Sequence, residues 1–501
     1  MKLNKIFIGL SLSFALVLSS CEKVIDVEPE FAIEGSQLFK SLDEYQYALT
    51  GAYALFRQTG YYGSGGQTTG SWSTLPDMMS DNLVRTGEDL ANWIAQTNFV
   101  YAADESDIEI AWQSAYYVIN QANLVLNNID QFAETDANRV NEIKGQALAI
   151  RGMAHFDVLR YWGENFDRNS SNLGIPYKTT ANSEEMPSRL TVKETYDNIF
   201  KDLQEAESLL DGISLNSANN RAYIDQLAVQ ALLARVSLYA KDYAAAESYA
   251  TMVIEARPLA SITAFPGIWT DATATEVIWA VSFSAGEGTP SGGVHVASSN
   301  RNRFRPSGPL VATYDQANDI RFPAYIGLRQ SGNVSPPRTI YSGTPVVAGT
   351  NGAAITRTIV NKFIGRNGAL DNVVNWKVLR TGEMYLIRAE ARAMQAGKEA
   401  MGLADLNALR AARINNYTNV TLTGQSLLDA IALERRKELL GEGHRWFDLK
   451  RTTRTITRID FDPNISNALT LDPTAREWVW PIPQVEIDAN ASMAAQQTTG
   501  Y

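Results

Sequence analysis

The chain has 501 residues, 45% of them apolar and 20% charged, with 44 Lys+Arg against 55 Asp+Glu and a formal net charge of −11. This is ordinary globular composition, which excludes a disordered chain, a collagen-like repeat and a polytopic membrane protein; the acidic balance argues against a general nucleic-acid binder, which needs a basic footprint. The single Cys excludes internal disulfides and multi-Cys zinc or iron–sulfur sites. His155, His295 and His444 lie far apart with no HExxH spacing, so neither a metal nor a cofactor is expected.

Lys2 and Lys5 precede a mostly apolar run, Ile6 to Leu18, which is too short for a spanning helix and reads as a secretory signal. The tetrad Leu18-Ser19-Ser20-Cys21 resembles the bacterial lipobox. On that reading residues 1–20 are removed and Cys21 is lipidated at the new N-terminus, its acyl chains anchoring the protein at about 0.8 kcal/mol per buried CH₂. Residues 21–40 carry Glu22, Asp26, Glu28, Glu30 and Glu34 and read as an acidic tether, leaving 41–501 as one domain with insertions.

Helical periodicity dominates that domain. A first pair is Leu42–Arg57 with Ile110–Ile129, and a second is Glu142–Trp162 with Val192–Leu210. Gln226 to Ala256 gives two amphipathic runs split at Ala240–Tyr243; Leu233, Ala234, Ala246, Val253 and Pro258 fit a tetratricopeptide spacing, in which small residues let antiparallel helices approach while larger ones fill the seam. Met384 to Arg413 repeats the design around a break at Gly397. The expected fold is therefore mainly α: tetratricopeptide-like helix pairs forming a superhelical scaffold, with long irregular insertions at about 58–109, 163–190 and 259–376 and a few short β-strands, among them Glu276–Phe283 and Thr358–Ile364. Turn-rich stretches 286–293, 332–337 and 343–352 punctuate the longest insertion. The apolar end, Trp478 to Pro483, is expected to pack back on the body.

Several landmarks then align in order: Cys21; Trp112, Tyr116, Ile119 and Asn123; the helix from Glu142 to Gly152; Glu383 to Ala391; the dense stretch Glu434 to Arg451; and Trp480-Pro-Ile-Pro483 with Asn490 and Gly500-Tyr501. This arrangement resembles the SusD/RagB family of outer-membrane lipoproteins, over nearly all of the mature chain. The resemblance implies a non-catalytic, lipid-anchored protein on the outer face of the outer membrane. It would bind a nutrient, most often a glycan or oligosaccharide, and deliver it to a TonB-dependent β-barrel transporter of the SusC type. The variable insertions are where such proteins hold ligand.

The residues of those insertions supply the candidate binding site. Tyr61, Tyr62, Trp72 and Trp93 stand among Gly, Ser and Thr, where no helix seam consumes them; aromatic faces suit the C–H faces of sugar rings, though the same residues serve equally to pin a long loop to the body. Arg301, Arg303 and Arg305 alternate, so an extended chain presents all three on one face, for acidic ligand groups or for pairing with Asp and Glu. Asp77 and Asp81 are two carboxylates, too few to define a Ca²⁺ site. Glu434, Arg435, Glu438, Glu442, Arg445, Asp448 and Arg451 read as a structural cross-link where the chain turns at Gly441 and Gly443, with a glycosidase acid–base pair as the alternative. Two further functions compete with ligand capture: a surface glycoside hydrolase, for which no local motif is seen, and a tetratricopeptide adaptor for peptides, which the split helix pairs disfavour.

Overall fold

The computed structural model describes residues 39–501 apart from 65–69, 88, 90–92, 183, 298–300, 332–338, 341–354 and 464. The signal segment, Cys21 and most of the tether lie outside the described residues, as do the turn-rich stretches 332–337 and 343–352. Residues 45–501 form one body; of the first 44 residues only 39–44 are described, and Leu42 opens the first helix.

Ten helices of seven or more residues stand among the described residues: α1 (Leu42–Leu55), α2 (Ser106–Leu126), α3 (Ala137–Trp162), α4 (Val192–Leu209), α5 (Gln226–Tyr239), α6 (Tyr243–Ala256), α7 (Thr381–Ala393), α8 (Glu399–Ala411), α9 (Gly424–Glu438) and α10 (Arg445–Arg451). The mainly α expectation and all four predicted helix pairs hold. Local sequence starts these helices where expected. Asp225 and Asp242 cap α5 and α6 by accepting the backbone N–H of Ala228 and Ala245, and Thr191 with Glu194 forms a reciprocal capping box on α4.

The pairs merge into a continuous stack: from α2 to α7 each helix packs on the next, α8 packs on α7, and α9 packs on both α7 and α8. Leu233, Ala234, Ala246 and Val253 are buried in the seams, as the spacing requires. α1 lies along α2 through Gln121, which donates to the Ala48 carbonyl at 3.0 Å, and Tyr45, whose hydroxyl donates to the Asn127 carbonyl at 2.8 Å. α6 and α7 are neighbours although residues 257–380 separate them, so the longest insertion leaves the stack and returns to the same place.

The strands belong to the insertions. Val277–Val281 pairs antiparallel with Trp376–Arg380, closing the long insertion at its base, and all ten residues are buried. Ile326–Ser331 pairs with Ile355–Val360 and with Thr339–Ile340. Leu83–Arg85 from the first insertion pairs with Phe304–Pro306 from the long one, so the two insertions share a sheet. The apolar chain end packs back as expected: Trp480 stacks on Tyr161 at 3.7 Å between ring centroids, and the Trp162 indole donates to the Pro481 carbonyl at 2.7 Å.

The Glu434–Arg451 stretch is the electrostatic keystone. Glu438 accepts from Arg321 at 2.9 Å, from Arg380 at 2.5 Å and from Arg413 at 3.0 Å. Glu434 pairs with Arg321 and Arg410, Glu442 with Lys362 and Arg380, Arg435 with Asp448, and Arg451 with Asp448 and Glu390. Burial pushes the Glu438 carboxyl up, but Arg413, Arg380 and Arg321 outweigh it and hold it well below the usual carboxylate range. The structural reading of this motif is the correct one: its charges tie α7, α8, α9 and the long insertion together.

Candidate functional site

The first insertion is woven into the keystone. Gly441 and Gly443 adopt φ of 72° and 76°, in the left-handed region that favours glycine. Their backbone N–H groups both donate to the buried Asp77 carboxylate at 3.1 Å, and Asn82 donates to it at 2.8 Å. Burial nevertheless raises the Asp77 pKa to about 6. Asp81 takes Arg445 in a bidentate pair at 2.7 and 2.9 Å, with Arg436 at 3.2 Å. Both carboxylates are consumed by the fold.

This anchoring changes the role of the insertion aromatics. Tyr61, Tyr62, Trp72 and Trp93 are at most 3% exposed. Tyr61 donates to Asp157 at 2.7 Å, and the Trp72 indole donates to the Asp157 carbonyl at 3.0 Å, both onto α3. Tyr62 stacks near Trp376 at the base of the long insertion, 5.8 Å between centroids. The expectation that these four present open faces to ligand is therefore corrected: they pin the loop. The Gly and Ser neighbours that suggested freedom permit close approach instead. Gly70, for example, lies so near the Tyr62 carbonyl and the Ser73 hydroxyl that a Cβ there would clash with both.

The arginine run is corrected too. It is not one extended strand. Arg301–Asn302 pairs with His295–Val296, the chain bends at Arg303, and Phe304–Pro306 pairs with Leu83–Arg85. Arg305 leaves the set by a bidentate pair with Asp460 at 2.6 Å to each oxygen. Arg303 lies over the Trp93 ring at 5.5 Å, and burial together with the nearby Arg301 charge weakens its hold on its proton. Trp93 also packs beside Phe304, and its indole N–H has no hydrogen-bond partner among the described residues. Of the seven predicted ligand residues, Arg301 and Arg303 over Trp93 are brought together. Arg301 is half-buried and reaches solvent.

A larger opening lies elsewhere, on α2. A cavity of about 430 Å³ is bounded by α2, the segment 176–187 and the C-terminal residues 486–490. Its volume falls in the range of ligand pockets, about 300–1,000 Å³. The residues Trp112, Tyr116 and Asn123 had been noticed as a landmark of α2. Their neighbours Tyr117 and Asn120 stand on one helix face, three residues apart and outside the apolar stripe.

A stack of helix pairs carrying insertions tied through buried ion pairs defines a class of helical, loop-decorated binding scaffolds. A family model described as "Starch-binding associating with outer membrane" matches residues 56–238, and one described as "SusD family" matches residues 275–501. The chain belongs to the SusD/RagB family. It is similar to SusD-like protein P38 of Formosa agariphila, 25% identical with 90% of this chain and 93% of that protein covered. It is likewise similar to SusD-like protein P2 of the same organism, 23% identical over 95% and 96%. Among solved structures, a SusD superfamily protein from Bacteroides thetaiotaomicron superposes with a TM-score of 0.76 at 26% identity, covering 90% of this chain and 98% of that one. A putative sugar binding protein from Bacteroides vulgatus gives a TM-score of 0.72 at 24% identity over 92% and 99%, a likeness of fold.

Proposed function

We propose that the protein captures a glycan or oligosaccharide at the cell surface and delivers it to a SusC-like TonB-dependent β-barrel transporter in the outer membrane. The observation that carries this reading is the pair of family matches, which span both the helix stack and the insertion-bearing half of the chain. The stacked helices supply a rigid body of the kind a transporter lid needs. Attachment through a lipid on Cys21 would hold the body at the membrane, facing the exterior.

The proposed role is capture without catalysis. A glycosidase needs one carboxyl kept protonated beside one kept ionised. The carboxyls of the 434–448 stretch are instead all held low by neighbouring cations: Glu434, Glu438, Glu442 and Asp448. Within the insertions the ligand contact we assign is Arg301 beside Arg303, which lies over Trp93; guanidiniums suit acidic groups.

Titration calorimetry of the protein against a panel of neutral and acidic polysaccharides, oligosaccharides and peptides tests the ligand class. Binding of a glycan without release of new reducing ends is the expected result; binding of peptides alone refutes it. Gentle detergent extraction should bring down a large β-barrel with the protein, and Cys21→Ala should abolish acyl labelling and membrane attachment. Repeated recovery of the bare protein from gentle extraction would remove the transporter from the proposal.

A further inference from the structure

We infer that the cavity on α2 is a second sugar-binding site, selective for uncharged oligosaccharide. It rests on the proposed function for its ligand class alone and uses none of the insertion residues assigned above.

The site is built in advance. Asn123 on α2 donates to the carbonyls of Lys178 and Thr180 at 3.1 and 3.0 Å, and Tyr116 donates to the Pro176 carbonyl at 2.8 Å. These bonds fix one wall against the helix. On the other side Asn490 donates to the Pro187 carbonyl at 2.9 Å, and the Trp112 indole donates to Glu486 at 3.3 Å. The walls are thus hydrogen-bonded to one another with the cavity left between them, so little ordering cost falls on binding.

The lining carries the two kinds of group that a sugar ring asks for. Trp112 and Tyr116, 4.7 Å apart between centroids, make an aromatic base. Tyr117 and Met186 stand at the rim, 55% and 61% exposed. Large apolar groups held open beside a formed cavity are what stacking on C–H faces requires. Asn120 is exposed, and its side chain makes no hydrogen bond to any described residue, so its amide offers a donor and an acceptor to ring hydroxyls.

The charge of the lining decides which sugars fit. Among the described residues of the lining Lys178 is the one cation, and it is already occupied by the Asn182 carbonyl at 2.8 Å and by Glu185 at 3.6 Å. Glu185 and Glu486 are both anions, so the lining sums to −1. An acidic sugar would face that charge with no free cation to meet it. The Arg301–Arg303 pair carries the opposite charge, so the two sites sort ligands by charge.

The test is calorimetry of the full mature chain with neutral hexasaccharides of the α-1,4-glucan, β-1,4-glucan, β-1,3-glucan, β-mannan and xylan series, and with a hexuronate as the acidic probe. The variants are Tyr117→Ala, Asn120→Ala, Ala489→Trp to fill the cavity, and Arg301→Ala for the other site. Unchanged melting temperatures confirm that the first three, all at exposed positions, remain folded. At least one neutral probe should bind wild type; Tyr117→Ala should weaken it about fivefold or more, and Ala489→Trp should abolish it. Neutral binding that survives Tyr117→Ala and Ala489→Trp overturns this site while leaving glycan capture standing. Hexuronate binding lost in Arg301→Ala, with no neutral probe bound, also overturns it and keeps the insertion site. Failure of every glycan overturns both.

Discussion

Substituting Glu438→Gln removes one charge from the keystone while keeping side-chain volume. In the folded protein five buried cations, Arg321, Arg380, Arg413, Lys362 and Lys437, face five buried anions, Glu276, Asp319, Glu434, Glu438 and Glu442, with Arg410 reaching Glu434 from the edge. Glu438 touches three of the guanidiniums. Without its charge, Arg321 keeps Asp319 and Glu434, Arg380 keeps Glu276 and Glu442, but Arg413 keeps only Glu276 among its ion-pair partners. Breaking a buried pair by removing one partner costs about 3–5 kcal/mol, because the stranded charge has no water to turn to. Unfolding entropy of about 2.1 cal/mol/K per residue gives ~1 kcal/mol/K over residues 45–501, so the expected fall in melting temperature is about 3–5 °C. Scanning calorimetry of wild type and variant at one scan rate measures it. The pH dependence follows from the depressed carboxyl. Its contribution is fully present above the unfolded value of about 4.3 and is lost only as pH falls through the much lower folded value. The gap between wild type and variant should accordingly persist down to pH 5 and close only in stronger acid. A melting point within 1 °C of wild type at pH 7 would refute the claim that these charges hold the fold.

Other substitutions probe the same architecture. Trp72→Ala should cost about 3–5 kcal/mol, a loss of core packing and of the hydrogen bond to Asp157, and should be read by thermal melting; an unchanged melting point would return Trp72 to the list of ligand residues. Gly382→Ala near the start of α7 should destabilise despite a helix-propensity gain of about 1 kcal/mol, because a Cβ there stands within 3 Å of both the Arg380 guanidinium and the Glu438 carboxylate; a stabilised variant in urea unfolding would contradict the packing described. Asp77, raised to about 6 by burial, binds its proton more tightly folded than unfolded, where the value is about 3.9. Its contribution is therefore fully present below about 3.9 and is lost as pH rises through 6. The melting temperature of wild type minus that of Asp77→Asn should be about 3 °C larger at pH 4 than at pH 7.5, and a difference flat across that range would show that Asp77 does not titrate there.

The helical stack was legible in the sequence because its causes are local. Alternation of large and small residues at helical spacing, capping residues such as Asp225, Asp242 and Thr191, and the breaks at Lys241 and Gly397 set element type and order before any tertiary contact forms. The structural role of Glu434–Arg451 was legible too, since so many charges in a turn-bounded helical stretch need partners. What the sequence left open was which side chains reach solvent. Tyr61, Tyr62, Trp72 and Trp93 sit among glycines and serines that read locally as a free loop. Asp77 within the loop takes the N–H groups of Gly441 and Gly443, and Asp157 on α3 takes Tyr61 while its carbonyl takes Trp72; these distant partners draw the loop onto the signature turn and α3, and all four rings are buried. Arg301, Arg303 and Arg305 alternate as a strand would, yet pairing with two different partner strands separates them, and Asp460, 155 residues on, takes one away. The cavity on α2 leaves no more than one helix face in the sequence, because its other walls come from residues 176–181, 185–187 and 486–490, which only folding sets opposite Tyr117 and Asn120.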